Sequence, residues 1–233
     1  MAQPGGTLRC VSFARVVSVN VALPRDVDWK GKTVTTGIFK EPVSGPVMVR
    51  RLNLDGDRQA DLTVHGGPDK AVYAYPAEHY ASWQAELSRE LPWGMFGENL
   101  TLEGLPLEDE LAIGDRLGIG AAEFVVCQPR LPCFKLGIRF GDAMMVKRFL
   151  QARRSGYYLR VAVEGEIAAG ETVTLLERDP EGVPVSEVTR LFLEGHDDVD
   201  ALRRVLRVDA LPKGWRSYFE EQLDSARPAV PPQ

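Results

Sequence analysis

The strongest chemical suggestion lies in the run Gln128-Pro129-Arg130-Leu131-Pro132-Cys133-Phe134-Lys135. Two prolines fix the backbone and remove amide donors, so the thiol of Cys133 is expected on a stiff loop following a strand. Arg130, Lys135 and Arg139 nearby favour the thiolate, the form that attacks electrophiles or binds a soft metal. The competing reading of a free cysteine is a small buried hydrophobe, and Cys127, at the end of an apolar strand, fits that description. A second cluster joins Gly56-Asp57-Arg58-Gln59-Ala60-Asp61 to His65-Gly66-Gly67-Pro68-Asp69-Lys70. Paired glycines let backbone amides approach an anion closely, with Lys70 adding charge and His65 a donor or acceptor; an ordinary turn between strands has the same composition. In the third, Gly94-Met95-Phe96-Gly97-Glu98-Asn99-Leu100, Asn99 can donate and accept at once, as reading the edge of a heterocycle requires, or as capping a turn requires.

Other chemistries lack their motifs. No Cys-x-x-Cys or His-x-x-x-His pair offers zinc ligands, and His79 and His196 are assigned to helix surfaces. The Gly-Gly-Pro-Asp-Lys run is not a P-loop, and neither a nucleophile elbow nor a dinucleotide fingerprint is present.

The elements that must position these residues read mainly as strands and tight turns. Short β-branched segments recur at Val11–Val21, Thr33–Ile38, Val47–Leu54 and Phe124–Cys127. Gly114-Asp115 and Gly170-Glu171 each place a glycine and an acid just before a strand. Pro76 can open a helix whose stripe is Tyr80, Trp83, Leu87 and Leu91, and Met144, Met145, Phe149 and Leu150 suggest another. Many short strands with glycine-rich turns point to a barrel or sandwich. The polar stretch Asp179-Pro180-Glu181-Gly182-Val183-Pro184 divides a domain over residues 1–179 from three helical stripes over 183–226, separated by Gly195 and Pro212. About 45 residues make a weak independent core, so these helices are expected to lean on the first domain or on a second subunit. The tail 227–233, with three prolines, is expected to be disordered.

With 233 residues, 44% of them hydrophobic, the chain can bury a sizeable core. No apolar run approaches the roughly 18 residues of a membrane helix, and no signal peptide is evident. Three cysteines, an odd and sparse set, suit a reducing, cytoplasmic compartment. A net charge of −5 argues against general nucleic-acid binding. Yet residues 130–160 hold eight basic side chains and one acidic one, which suggests either an anion of limited size or a solvated basic face.

Taken together and in this order, the three clusters resemble the MOSC domain, named for the molybdenum cofactor sulfurase C-terminal domain, and within it the YiiM-type branch. The likeness runs from about Val11 to Glu177, and the helical end resembles the small three-helix domain that follows in that branch. The resemblance implies a mainly β fold with a closed β-barrel and a few helices. It also implies a molybdenum–molybdopterin cofactor whose metal is held by the cysteine of the Pro-Cys motif, here Cys133, and reduction of N-hydroxylated compounds, N-hydroxylated nucleobases included, to amines. On this reading His65, Gly66, Gly67, Lys70 and Asn99 surround the pterin, Arg130 and Lys135 meet its anion, and Arg160 adds to them. Asp61 and His65 are the candidates for proton delivery. Without a flavin, haem or iron–sulfur signature, electrons must come from a separate reductase, and the helical end is a candidate contact for that partner or for a homodimer. The alternative is a carrier of the cofactor or its sulfur, with Cys133 as a persulfide site and no turnover.

Overall fold

The computed structural model describes residues 14–61, 66–195 and 197–226. His65, His196, Cys10 and the tail 227–233 therefore lie outside the described residues.

Twelve strands and six helices are described. Strands β1 (Arg15–Val21), β2 (Arg25–Trp29), β3 (Lys32–Thr36), β4 (Glu41–Pro42), β5 (Val47–Val49) and β6 (Val72–Pro76) come first. Helix α1 (Glu78–Leu87) and strands β7 (Leu100–Glu103), β8 (Arg116–Ile119) and β9 (Ala122–Pro129) follow, then helices α2 (Phe134–Phe140) and α3 (Met145–Ala152). Strands β10 (Tyr157–Val163), β11 (Gly165–Ile167) and β12 (Val173–Glu177) precede helices α4 (Val185–Glu194), α5 (Val199–Val205) and α6 (Lys213–Ser225). Both glycine-acid turns do enter strands, with Gly114 and Gly170 at φ 96 and 91. The first predicted helix is shorter than its stripe, because Ser88 turns left-handed at φ 51 and leaves Leu91 buried beyond the helix end.

Eight strands form one sheet in the order β12-β8-β9-β10-β6-β7-β1-β4. The expected closed barrel is not formed, for β12 and β4 are the ends of this sheet. The start of β1 approaches the beginning of β12 through an isolated Arg15–Thr172 bridge and amide bonds such as Val173 to the Ala14 carbonyl at 2.7 Å. β1 also pairs with β7 from Arg15 onward, with a register shift between Val16 and Ser18, and its end at Asn20–Val21 pairs with β4.

β6 is buried along its whole length and serves two cores. Val72 and Ala74 face the aliphatic core inside the sheet, while Tyr73 and Tyr75, pointing the other way as strand alternation demands, join an aromatic core with Trp83, Phe96 and Phe149. That second core fastens α1, α2 and α3 to the outside of the sheet. The C-terminal helices extend the first core: Val188, Leu191, Leu202, Val205 and Phe219 are all fully buried in it.

Candidate functional site

A cleft of about 90 Å³, partly open to solvent, lies where several segments meet. β9 ends at Pro129, and the chain bends through Leu131-Pro132 to bring Cys133, in extended conformation at φ −115 and ψ 173, to the start of α2. Cys133 is half-buried and lines the cleft with Arg130 and Lys135. Residues 36–40 and 58–60 make another side. They touch so closely that a Cβ on Gly37 would stand 2.4 Å from the Arg58 carbonyl oxygen. Lys70 arrives from a 3-10 turn at Pro68–Lys70, and Tyr73, Tyr158, Gly97 and Asn99 complete the lining.

The electrostatics are one-sided. Lys40, Arg58, Lys70, Arg130 and Lys135 line the cleft, and no carboxylate does among the described residues. Behind the wall, Asp57 answers Lys40 in a buried ion pair and accepts from the Ala22 amide and from Asn99 Nδ2, each at 2.9 Å. Burial holds the Lys40 ammonium below its ordinary pKa despite that partner, and burial lowers Lys70 as well. Arg130 is only 6% exposed, set over the rings of Tyr73 and Phe149 at 5.3 and 5.0 Å. Its Nη1 is buried without a hydrogen-bond partner among the described residues. Buried donors are nearly always satisfied, so an orphan on a cleft wall is a site prepared for an acceptor. Burial raises Tyr73 well above its ordinary pKa and raises Tyr158 as well, which leaves both as neutral phenols.

Of the residues singled out by sequence, Cys133, Arg130, Lys135, Lys70 and Asn99 meet at this cleft. Asn99 is largely occupied by the protein, accepting from the Tyr73 amide at 3.1 Å and donating to Asp57. Gly66, Gly67 and Asp61 flank the loops and do not line the wall. Arg160 is turned away, its Nε bonded to Asp69 at 2.7 Å and its Nη2 to the Ala210 carbonyl at 3.2 Å. His79 is not on a surface: it is 8% exposed and bonded to Glu108 at 2.9 Å. Cys127 is fully buried, its thiol pushed up to about 12 by desolvation. Sequence reasoning missed Lys40, Tyr73 and Tyr158, which belong to no chemical motif; the alternation of Tyr73 and Tyr75 in a strand beginning two residues past Lys70 was the available signal. A soft sulfur donor, the surplus of cations and the orphaned guanidinium fit a metal–pterin group bearing a phosphate.

Known proteins share the sequence pattern and the fold. The family model for the MOSC domain matches residues 61–174, and that for the YiiM-like, 3-alpha helix domain matches residues 183–226. The uncharacterized protein YflK of Bacillus subtilis is 42% identical over 213 residues, covering 91% of this chain and 96% of its own. A protein named Reductase from Gibberella moniliformis is 36% identical over 152 residues, 64% of this chain but 27% of that one. The crystal structure of YiiM from Geobacillus stearothermophilus superposes with a TM-score of 0.76 at 33% identity, covering 90% of this chain and 99% of that one.

Proposed function

The chain belongs to the MOSC family, in its YiiM-type branch, and from that premise we propose that it binds a molybdenum–pterin cofactor through Cys133 and reduces N-hydroxylated small molecules to amines. MOSC domains are associated with this cofactor, and a relative named Reductase supports a redox role. The observation that carries the reading is the half-buried Cys133 thiol beside the buried, unpartnered Nη1 of Arg130 in a cleft lined by cations.

When bound, such a group supplies a two-electron redox centre, sufficient with two protons to convert an N-hydroxyl compound into an amine and water. The chain's own residues do the rest. Arg130 and Lys135 stabilise the Cys133 thiolate and so its capacity to hold a soft metal. Arg130 Nη1 and Lys70 hold the phosphate, a charge-assisted contact strengthened by the low dielectric around a buried guanidinium. Tyr73 and Tyr158 give the pterin and a flat N-hydroxylated base an aromatic wall. No described residue lining the cleft is a carboxylate or histidine; Asp61 and His65, the candidates from sequence, and water in the open cleft are the proton sources this reading offers. Electrons come from a separate donor protein.

Molybdenum measured by elemental mass spectrometry in protein from a cofactor-competent host tests the proposal. Wild type and Cys127→Ser should hold near-stoichiometric metal and Cys133→Ser little. Absence of molybdenum from all three, beside a loaded control enzyme, would end it.

A further inference from the structure

Asp69 stands next to Lys70 and is held twice. Its carbonyl accepts from Gln128 Nε2 at 2.8 Å, and the Gln128 Oε1 accepts in turn from Trp215 Nε1 of α6 at 2.8 Å. Both ends of the Gln128 amide are thereby committed, and a flipped amide would set donor against donor and acceptor against acceptor. A second chain of contacts reaches the side chain: Arg160 donates Nε–H to Asp69 Oδ1 at 2.7 Å and Nη2–H to the Ala210 carbonyl at 3.2 Å. Both chains begin in β9 or β10 and end in the C-terminal helical unit.

These bonds are not needed to dock that unit, because its apolar side chains already share the core of the sheet. The loop they reach is intrinsically soft. It is a three-residue 3-10 turn closed by one amide bond, Lys70 to the Gly67 carbonyl at 3.1 Å, and entered through Gly67 at φ 97. Gln128 and Trp215 are 5% and 9% exposed, so water competes weakly for their groups and an unmade bond there is costly.

We infer that the C-terminal three-helix unit is a positioning device for the cleft: Trp215 through Gln128, and the Ala210 carbonyl through Arg160, fix the loop that presents Lys70. Trp215, Gln128 and Arg160 do not line the cleft, so they act through Asp69 and are positioning residues. The anion that Lys70 then meets rests on the cofactor reading; the positioning itself does not.

The test uses the full-length chain and two variants. Trp215→Phe keeps a ring to stack on Phe219, now at 5.5 Å, but loses the N–H. Arg160→Lys keeps a cation beside Asp69 that cannot also span to Ala210. Hydrogen exchange of the peptide covering residues 66–72 should quicken roughly five-fold in each, the factor expected from one ordinary hydrogen bond, while peptides from β12 and α4 exchange as in wild type. Inorganic phosphate, titrated by calorimetry, should bind Trp215→Phe roughly five-fold more weakly than wild type, with no further loss when Trp215→Phe is added to Lys70→Met. Unchanged exchange in 66–72, or equal quickening throughout the chain, would overturn the inference. If wild type binds neither phosphate nor molybdenum, the cofactor reading falls and exchange alone decides the positioning role.

Discussion

At Arg130 stability and ligand binding pull in opposite directions. A guanidinium withdrawn from water with one N–H unpartnered burdens the ligand-free fold, and the faces of Tyr73 and Phe149 offset only part of that cost. Arg130→Met keeps the volume against those rings and removes the charge, so it should stabilise the ligand-free chain by about 1–3 kcal/mol in urea denaturation. Phosphate should raise the midpoint of wild type and leave that of the variant where it is. A less stable variant that phosphate still protects would refute the argument. The two cysteines differ as sharply. In a Cys10→Ser background at pH 8, maleimide should label Cys133 rapidly in the folded chain and leave Cys127, whose thiol is held up to about 12 by burial, unmodified until unfolding. This contrast was legible in the sequence, because prolines and cations frame one cysteine and an apolar strand contains the other. The basic segment was less legible. Arg148, Arg153, Arg154 and Arg160 find Asp142, Glu194, Glu86 and Asp69, and three of those four acids lie outside the segment, where no local charge count registers them.

The loop between α1 and β7 shows how an element is organised around one buried group. Glu98 accepts from the Gly94 and Phe96 amides at 2.9 and 3.0 Å, from Thr101 Oγ1 at 3.0 Å and from the Tyr80 hydroxyl. Glu98→Gln replaces one acceptor oxygen by a donor and leaves neighbours facing it unsatisfied, at a cost of about 2–4 kcal/mol at pH 7. Burial raises the Glu98 pKa above 4.5 in the folded chain. The folded state therefore keeps the proton to higher pH than the unfolded one. The contribution of this group is fully present below about 4.5 and is lost as pH rises through the folded value. Glu98→Gln should remove this slope from urea midpoints measured across the acid range; an unchanged slope would show that another group carries it. The loop's glycines were visible as a motif, whereas the use of Asn99 to tie β6 to Asp57 was not, since an amide's partners depend on which distant strands arrive beside it. Strand content was legible for the same reason that closure was not. Alternation marks a strand locally, but a barrel requires the two end strands, β4 and β12, to meet in register.

Across the whole molecule the division at residues 179–183 is one of composition and not of stability. Val183 and Val185 are fully buried, and the stretch read as dividing the two units is stitched to the segment before β8 by the Ile113 amide to the Val183 carbonyl and the Val185 amide to the Leu111 carbonyl, both at 2.9 Å. Polar and proline-bearing residues announced the end of a strand correctly; they could not announce that the next residues return to the same core. Removing residues 180–233 would strip Val183, Val185, Val188, Leu191, Leu202, Val205 and Phe219 from that core. At roughly 1.5–3 kcal/mol for each fully buried side chain, the loss is on the order of 10 kcal/mol, comparable with the entire stability of a domain at about 5–15 kcal/mol. A chain ending at residue 179 should therefore be unfolded or aggregated, and the full-length chain should unfold in one transition, with far-UV circular dichroism and Trp fluorescence coincident. Trp215 reports from the helices and Trp83 from the aromatic core, so two separated fluorescence transitions, or a soluble truncated chain with native circular dichroism, would show that the helical unit is an independent appendage.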